Sequence, residues 1–180
     1  MEIIPLVIGY GNDSTTRICQ LLSYLDLNYA VLLPGKIPWF KYTHIILSGG
    51  PGCVYSKKSD QLDPWIISSG VPILGICYGG QLLTKHYGGR VKSLKYPEYG
   101  PTRVCEYTTD TKVIKTRWMN RFDGIGSIPS NFELTGVTEN DTIASMKSKD
   151  GRITIIQYHP EAVRYPDLNY FREWLYKCSK

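Results

Sequence analysis

The chain has 180 residues and a formal net charge of +5, with 42% apolar and 21% charged residues. This length suits one domain with a single sizeable core, and the composition excludes a disordered chain. No apolar run approaches the roughly 18 residues that a membrane-spanning helix needs. The basic residues are scattered, so we expect no nucleic acid and no membrane as partners. The whole chain, residues 1–180, is predicted to be one domain.

The first half of the chain alternates between strand patterns and helix patterns. Asp13 or Ser14 is the predicted N-cap of the first helix, whose apolar residues recur at helical spacing. Near-continuous apolar strands that alternate with helices predict a mostly parallel sheet with helices on both faces. Strands are predicted at 3–8, 29–33, 45–47 and 71–76, and helices at about 13–25, 62–69 and 79–87.

The second half of the chain has shorter strand patterns with polar alternation. Three such patterns, at 90–94, 103–108 and 112–116, predict a small antiparallel excursion. A further strand is predicted at 152–158, and Leu168, Phe171, Leu175 and Cys178 mark a last amphipathic helix. The predicted fold class is therefore α/β: a single domain with a mostly parallel central sheet flanked by helices.

The cysteine pattern argues against disulfide bonds and against a zinc site. The five cysteines include no Cys-x-x-Cys pair and their number is odd. No positively charged leader precedes the first predicted strand, so a secretory signal is not expected. This pattern disfavours both a disulfide framework and a zinc cluster. We expect a reducing, cytoplasmic environment and no bound metal.

The segment 72–81 has the pattern of a nucleophile elbow. A buried strand leads to Cys77, which is flanked by Gly75 and Gly79, and a helix follows at once. Such a turn is too tight for side chains at the flanking positions and exposes the nucleophile at the end of the strand. A position over a helix N-terminus favours the thiolate. The alternative interpretation is a buried structural cysteine beside two turn glycines.

A cysteine nucleophile needs a base, and His159 is the candidate. It follows the predicted strand 152–158, and the ends of parallel strands gather at one edge of a sheet, so His159 and Cys77 are expected to meet. Glu161, two residues further on, can hold the other ring nitrogen. His44 and His86 are more simply explained as structural residues.

The segment 48–52 is a strand end that opens into a glycine loop. Its backbone N–H groups could bind an oxyanion, although a plain turn would have the same sequence. No ATP or NAD site is predicted. Pro51 removes an N–H from the loop, no Asp-Ser follows it, and Gly9-Tyr10-Gly11 lacks the third glycine of a dinucleotide fingerprint.

Together these segments resemble the class I (triad) glutamine amidotransferases over nearly the whole chain. Within that superfamily the chain looks most like the amidotransferase portion of the GMP synthetases. Tyr78 supports this choice, since several sister families resemble one another in using Leu at that place. The matching segments are 47–51, Val54-Tyr55, 75–79, Glu98-Tyr99-Gly100, Trp118-Met119 and 157–161.

The resemblance implies a role for each of these residues. Cys77 would attack the glutamine carboxamide, His159 would move the proton and Glu161 would orient His159. The oxyanion hole would be formed by the backbone N–H groups of Gly50 and Tyr78, while Gln81 and Asn120 would help to hold glutamine. Family members pass the ammonia to an ATP-pyrophosphatase unit that adenylates xanthosine monophosphate (XMP). The resemblance therefore implies that the partner is a separate synthetase subunit, which would bind ATP and Mg, and that this chain carries no cofactor.

One segment departs from the family pattern. The family has Ser-His-Gly-Asp after Trp118-Met119, whereas this chain has Asn120-Arg121-Phe122-Asp123. We expect these residues to form a loop in which Arg121, Phe122 and Asp123 couple the glutamine pocket to the partner. Two other functions stay open: a cysteine hydrolase for another γ-glutamyl or amide substrate, and a partner-binding protein without turnover.

Overall fold

The structure, a computed structural model, describes residues 2–108 and 110–177. Its centre is one nine-stranded sheet with the strand order β2-β1-β3-β4-β9-β8-β7-β5-β6. The strands are β1 (Pro5–Ile8), β2 (Ala30–Leu32), β3 (His44–Leu47), β4 (Ile73–Ile76), β5 (Arg90–Tyr107), β6 (Lys112–Ser127), β7 (Phe132–Thr138), β8 (Ile143–Ser148) and β9 (Ile153–Ile156). The helices are α1 (Asn12–Tyr24), α2 (Pro64–Ser68), α3 (Tyr78–His86) and α4 (Leu168–Lys177).

Helices cover both faces of the parallel half of the sheet. Alternate residues of β1 point to opposite faces, with Val7 on one side and Leu6 and Ile8 on the other. The face with Val7 packs against α1 and α4, and the opposite face packs against α2 and α3. No helix in the described part of the chain is long and apolar enough to cross a membrane.

The predicted α/β class is confirmed, and the parallel strands lie where the sequence indicates. Strands β2, β1, β3, β4 and β9 pair in parallel, while β9–β8, β8–β7, β7–β5 and β5–β6 pair antiparallel. The antiparallel part is larger than the small excursion expected from the sequence. Both β5 and β6 are long, and β7 and β8 were not predicted.

One prediction about a helix end was wrong, and another concerns a residue outside the described ranges. Helix α1 begins at Asn12 with Gly11 in the N-cap position, so neither Asp13 nor Ser14 is the cap. Both lie in the first turn instead, where the Ser14 hydroxyl makes tertiary contacts. Cys178, predicted in the last helix, lies outside the described residues.

Candidate active site

Cys77 lies at the junction of β4 and α3, in a strained backbone conformation. Its φ is +48° and its ψ −106°, a combination that non-glycine residues rarely adopt. The flanking glycines are required because the backbone packs tightly around them. A Cβ on Gly79 would lie 2.6 Å from the Leu47 carbonyl oxygen, and one on Gly75 would lie 2.8 Å from the Gly80 backbone. The turn directs Cys77 into a cavity of about 480 Å³.

The sheet brings His159 to the same cavity. Strand β9 pairs in parallel with β4, so both strands end at the same edge, and His159 follows β9 after two residues. Two backbone hydrogen bonds of 2.8 Å hold the segments that follow β4 and β9. Cys77 N–H donates to the Ile156 carbonyl, and His159 N–H donates to the Trp118 carbonyl. The structure thus brings Cys77 and His159 to one cavity, as expected from the common edge at which parallel strands end.

A buried carboxylate holds the His159 ring. Glu161 Oε1 lies 2.7 Å from Nδ1 of His159, while Nε2 is buried without a hydrogen-bond partner among the described residues. Burial acts to lower the pKa of His159, but the Glu161 carboxylate and then the Cys77 sulfur outweigh it, and the pKa lies well above its usual range. This arrangement favours the charged imidazolium form of His159.

Ser14 is a site residue that the sequence analysis missed. Its hydroxyl donates to Glu161 Oε1 at 2.6 Å and accepts a 3.0 Å hydrogen bond from Gly49 N–H. One side chain of α1 therefore joins the carboxylate to the glycine loop. The only available signal was its place after the turn of β1, which is equally consistent with a helix cap.

The glycine loop after β3 forms one wall of the cavity. Gly50 packs closely on the turn that follows β1, since a Cβ on Gly50 would lie 2.6 Å from the Tyr10 carbonyl oxygen. The backbone N–H groups of Gly50 and Tyr78 donate to no other residue in the described ranges, and both residues line the cavity. These two donors are therefore free for a ligand oxygen.

Gln81 and Asn120 also line the cavity. Gln81 is buried, and its amide nitrogen donates to the Asp123 carbonyl at 3.0 Å and to Gln157 Oε1 at 3.2 Å. The backbone carbonyl of Asn120 lies 3.8 Å from Cys77 Sγ. The structure thus gathers at one cavity all seven residues that the sequence analysis assigned to catalysis, the oxyanion hole or substrate binding.

The expectation of a loop at 120–123 was wrong. These residues lie within β6 and pair with β5, with Arg121 opposite Glu98 and Asp123 opposite Ser93. The sequence did not reveal this pairing because the partner strand β5 contains Pro97 and Gly100, and the register shifts between Ser93 and Glu98.

The three residues expected to couple to a partner have different environments. The Arg121 side chain is only 1% exposed and forms an ion pair with Glu98 at 2.6 Å, so its cation is not available to a partner surface. Phe122 is 74% exposed and lies at the cavity rim. Asp123 accepts a 2.8 Å hydrogen bond from the Ser93 hydroxyl. Only Phe122 has the exposure that the coupling hypothesis requires.

The other two histidines lie away from the cavity. His44 is buried and its ring contacts Trp174 edge-on, and His86 is the last residue of α3. Burial lowers the pKa of His44. No group of three or more His, Cys, Asp or Glu suited to a metal ion occurs in residues 2–108 and 110–177.

Comparison with known proteins agrees with this geometry. Residues 6–178 match the family model "Glutamine amidotransferase class-I". The GMP synthase [glutamine-hydrolyzing] of Brachyspira hyodysenteriae is 36% identical over 88% of this chain, and that of Caldicellulosiruptor saccharolyticus is 38% identical over 89%. The aligned parts are 32% and 33% of those proteins, so the chain spans about a third of the length of these relatives.

Solved structures share the fold. A protein of Thermoplasma acidophilum, provisionally described as one subunit of a GMP synthase, superposes with a TM-score of 0.82 at 24% identity, covering 99% of this chain and 95% of the other. A glutamine amidotransferase of Thermotoga maritima superposes with a TM-score of 0.76 at 18% identity, covering 98% and 85%.

The nucleophile elbow, the cavity and the family match together define a class I glutamine amidotransferase, and the chain belongs to that family. The expectation from the sequence that this is a glutamine-hydrolysing type of amidotransferase is confirmed. Among the relatives of this class, the chain is similar to the aligned third of GMP synthases [glutamine-hydrolyzing].

Proposed function

We propose that this chain hydrolyses glutamine to glutamate and ammonia through Cys77, His159 and Glu161. The observation that carries the proposal is the strained Cys77 at the end of β4, directed into the cavity beside a histidine held 2.7 Å from Glu161. This is the arrangement that covalent catalysis by a cysteine needs: a nucleophile, a base and a group that orients the base.

The geometry supports a two-stage reaction. The thiolate of Cys77 attacks the carboxamide carbon, and the negative charge on oxygen is stabilised by the N–H groups of Gly50 and Tyr78. His159 gives its proton to the leaving nitrogen, which departs as ammonia and leaves a γ-glutamyl thioester. His159 then takes a proton from water, and the resulting attack on the thioester releases glutamate and regenerates Cys77.

We further propose that the ammonia serves the conversion of XMP to GMP. The support is that curated relatives above 30% identity are GMP synthases that hydrolyse glutamine. The partner would be an ATP-pyrophosphatase synthetase unit, which would bind ATP and Mg, while this chain would bind glutamine alone. The cytoplasm is the expected place for such a reaction.

Cys77→Ala tests the proposal, with Cys53→Ala as the matched control. Both cysteines line the cavity, but Cys53 is exposed and is not part of a strand-to-helix turn. We expect Cys77→Ala to abolish glutamine hydrolysis and to prevent the covalent adduct of a glutamine-analogue electrophile, detected by mass spectrometry.

Cys53→Ala should retain both properties. Hydrolysis by folded Cys77→Ala, or an adduct on Cys53 instead of Cys77, would contradict the assignment. Circular dichroism of both variants establishes that they are folded.

A further inference from the structure

A buried hydrogen-bond network connects Arg121 to the backbone of the nucleophile. Nη1 of Arg121 donates to Gln157 Oε1 at 3.1 Å, and Nε2 of Gln157 donates to the Cys77 carbonyl at 3.1 Å. Gln157 is fully buried. The network joins β6, the end of β9 and the nucleophile elbow, and the reaction scheme above does not use it.

The guanidinium determines the direction of this network. Arg121 only donates hydrogen bonds, so Gln157 must direct its oxygen toward Arg121 and its nitrogen toward Cys77. Arg121 is itself fixed, because Nε and Nη2 both donate to Glu98 Oε2, at 2.9 and 2.6 Å. The amide of Gln157 is therefore held in the orientation that binds the carbonyl of Cys77.

Fixing that carbonyl also fixes an oxyanion donor. The carbonyl of Cys77 and the N–H of Tyr78 belong to the same planar peptide group and point in opposite directions. A donor that holds the carbonyl oxygen on the buried side thus keeps the N–H of Tyr78 directed away from it. The same carbonyl also accepts a hydrogen bond from Gln81 N–H at 2.9 Å. Gln157 therefore supplies the second of two hydrogen bonds that hold this peptide, next to the strained φ of +48° at Cys77.

We infer that Gln157, oriented by the buried Glu98–Arg121 ion pair, is a positioning residue that aims the Tyr78 N–H at the reaction's oxyanion. The inference rests on the proposed function. It gives Arg121 a role within this chain, in place of the contact with a partner that the sequence suggested.

Gln157→Met is the direct test, because methionine keeps the length of the side chain and removes its hydrogen-bonding groups. Arg121 Nη1 keeps a partner in the Ile143 carbonyl, at 3.1 Å. Loss of a complete oxyanion donor costs ~10²–10³-fold in kcat, so misdirecting one should lower kcat by about tenfold. KM for glutamine should stay within about twofold, because the donor acts in the transition state and Gln81, which loses Gln157 as an acceptor, keeps its 3.0 Å hydrogen bond to the Asp123 carbonyl.

Alkylation of Cys77 by iodoacetamide separates positioning from general damage. This displacement forms no oxyanion, so its rate should be equal in Gln157→Met and the parent. Equal losses in alkylation and in hydrolysis would overturn the inference, since they would indicate a disturbed thiolate and not a misaimed donor. An unchanged kcat would overturn it as well.

Paired variants test the part played by Arg121. Glu98→Gln with Arg121→Met removes both charges together and should lower kcat as Gln157→Met does. Combined with Gln157→Met it should add no further loss, since residues that act through one path are not additive. The control is Glu106→Gln with Arg117→Met, which removes a part-buried ion pair between β5 and β6 and the pairing of Arg117 with Asp167, and should leave kcat unchanged. Additive losses, or an equal loss in the control, would refute the role of Arg121.

A measurement without glutamine keeps the inference separate from the proposed function. Succinic semialdehyde adds reversibly to a thiol, and the resulting oxygen would occupy the oxyanion hole. Its protection of Cys77 from iodoacetamide should be about tenfold weaker in Gln157→Met. If the parent fails to hydrolyse glutamine, the proposed function fails, and this protection still decides the inference. Equal protection in parent and variant would contradict it.

Discussion

Cys77 combines backbone strain with a position in the cavity lining. A non-glycine residue at positive φ costs of order 1–3 kcal/mol and persists only where its surroundings hold it. Here the surroundings are the Ile156 carbonyl, which accepts from Cys77 N–H, and the close packing of Gly75 and Gly79. The conformation places Cys77 between the core and the cavity lining. Cys53 also lines the cavity, but it is exposed and lies outside a strand-to-helix turn.

The first prediction at the scale of single residues concerns Glu161. Glu161→Gln keeps a hydrogen-bond acceptor but removes the charge that opposes the effect of burial on His159, so the pKa of His159 should fall. The imidazolium is then populated only at lower pH, and hydrolysis should weaken. The loss should be smaller than that of His159→Ala, which removes a proton carrier worth ~10²–10⁴-fold in rate.

The measurements are kcat for both variants and an NMR titration of the His159 ring in Glu161→Gln. A raised or unchanged pKa of His159 would show that Glu161 does not control its protonation. If Glu161→Gln lost as much activity as His159→Ala, a different base and orienting group would be needed.

The second prediction at this scale concerns Ser14. Ser14→Ala leaves the N–H of Gly49 without its side-chain acceptor and removes a donor to Glu161, at a cost of about 1 kcal/mol for each hydrogen bond. We expect both a lower melting temperature and a kcat reduced by about tenfold, since 1.36 kcal/mol corresponds to tenfold in rate.

Ser23→Ala provides the control for Ser14, because Ser23 lies at the opposite end of α1 and its hydroxyl donates, among the described residues, only to Tyr29. This variant should have the kcat of the parent. If Ser14→Ala lost stability but kept full kcat, Ser14 would be a structural residue only.

At the scale of elements, the hairpin of β5 and β6 forms one wall of the cavity through residues of β6. Successive residues of a strand point to opposite faces, so Arg121 faces the core and Phe122 faces outward at the cavity rim. The pairing with β5 is irregular opposite Phe122, where the register shifts between Ser93 and Glu98. Phe122 therefore lies at an interruption of the β5–β6 pairing, with regularly paired residues on both sides of it.

A prediction about control by a partner belongs to this hairpin. The exposed ring of Phe122 narrows the cavity entrance, so we expect the isolated chain to be a poor glutaminase. A synthetase loaded with ATP and XMP should activate it by about 5- to 150-fold, as a coupling of about 1–3 kcal/mol would give. Phe122→Ala should raise hydrolysis without partner and reduce this activation.

Tyr96→Ala is the control for Phe122. Tyr96 is another exposed aromatic residue of the same hairpin, and it is not among the residues lining the cavity. The assay measures glutamine hydrolysis with and without the synthetase. Equal basal rates and equal activation in Phe122→Ala and the parent would show that Phe122 does not control the site.

The parallel strands could be predicted from the sequence because burial on both faces makes them continuously apolar. The elements β7 and β8 could not, since their mixed residues match neither a buried strand nor a clear alternation. Cys77, His159 and Glu161 were accessible to prediction because strand ends meet at one edge. Ser14 and Gln157 were not, because their partners lie far away in sequence and no local pattern reports them.

At the scale of the whole molecule, one sheet carries two structural zones. The parallel zone has helices on both faces and supplies Cys77, the glycine loop and His159. The antiparallel zone supplies the buried Arg121 and the rim residue Phe122. The cavity lies where the zones meet, so changes in the antiparallel zone reach the reacting atoms through Trp118 and Gln157, whose contacts cross the boundary.

The position of β9 has a consequence for biosynthesis. It is the last strand along the chain, yet it pairs between β4 and β8 in the middle of the sheet. Cys77 leaves the ribosome long before His159, and pairing between such distant segments forms late in folding. Until β9 inserts, the thiol of the nascent chain has neither the His159 ring beside it nor a complete cavity around it. Cys77 and His159 therefore come together only when β9 joins the sheet.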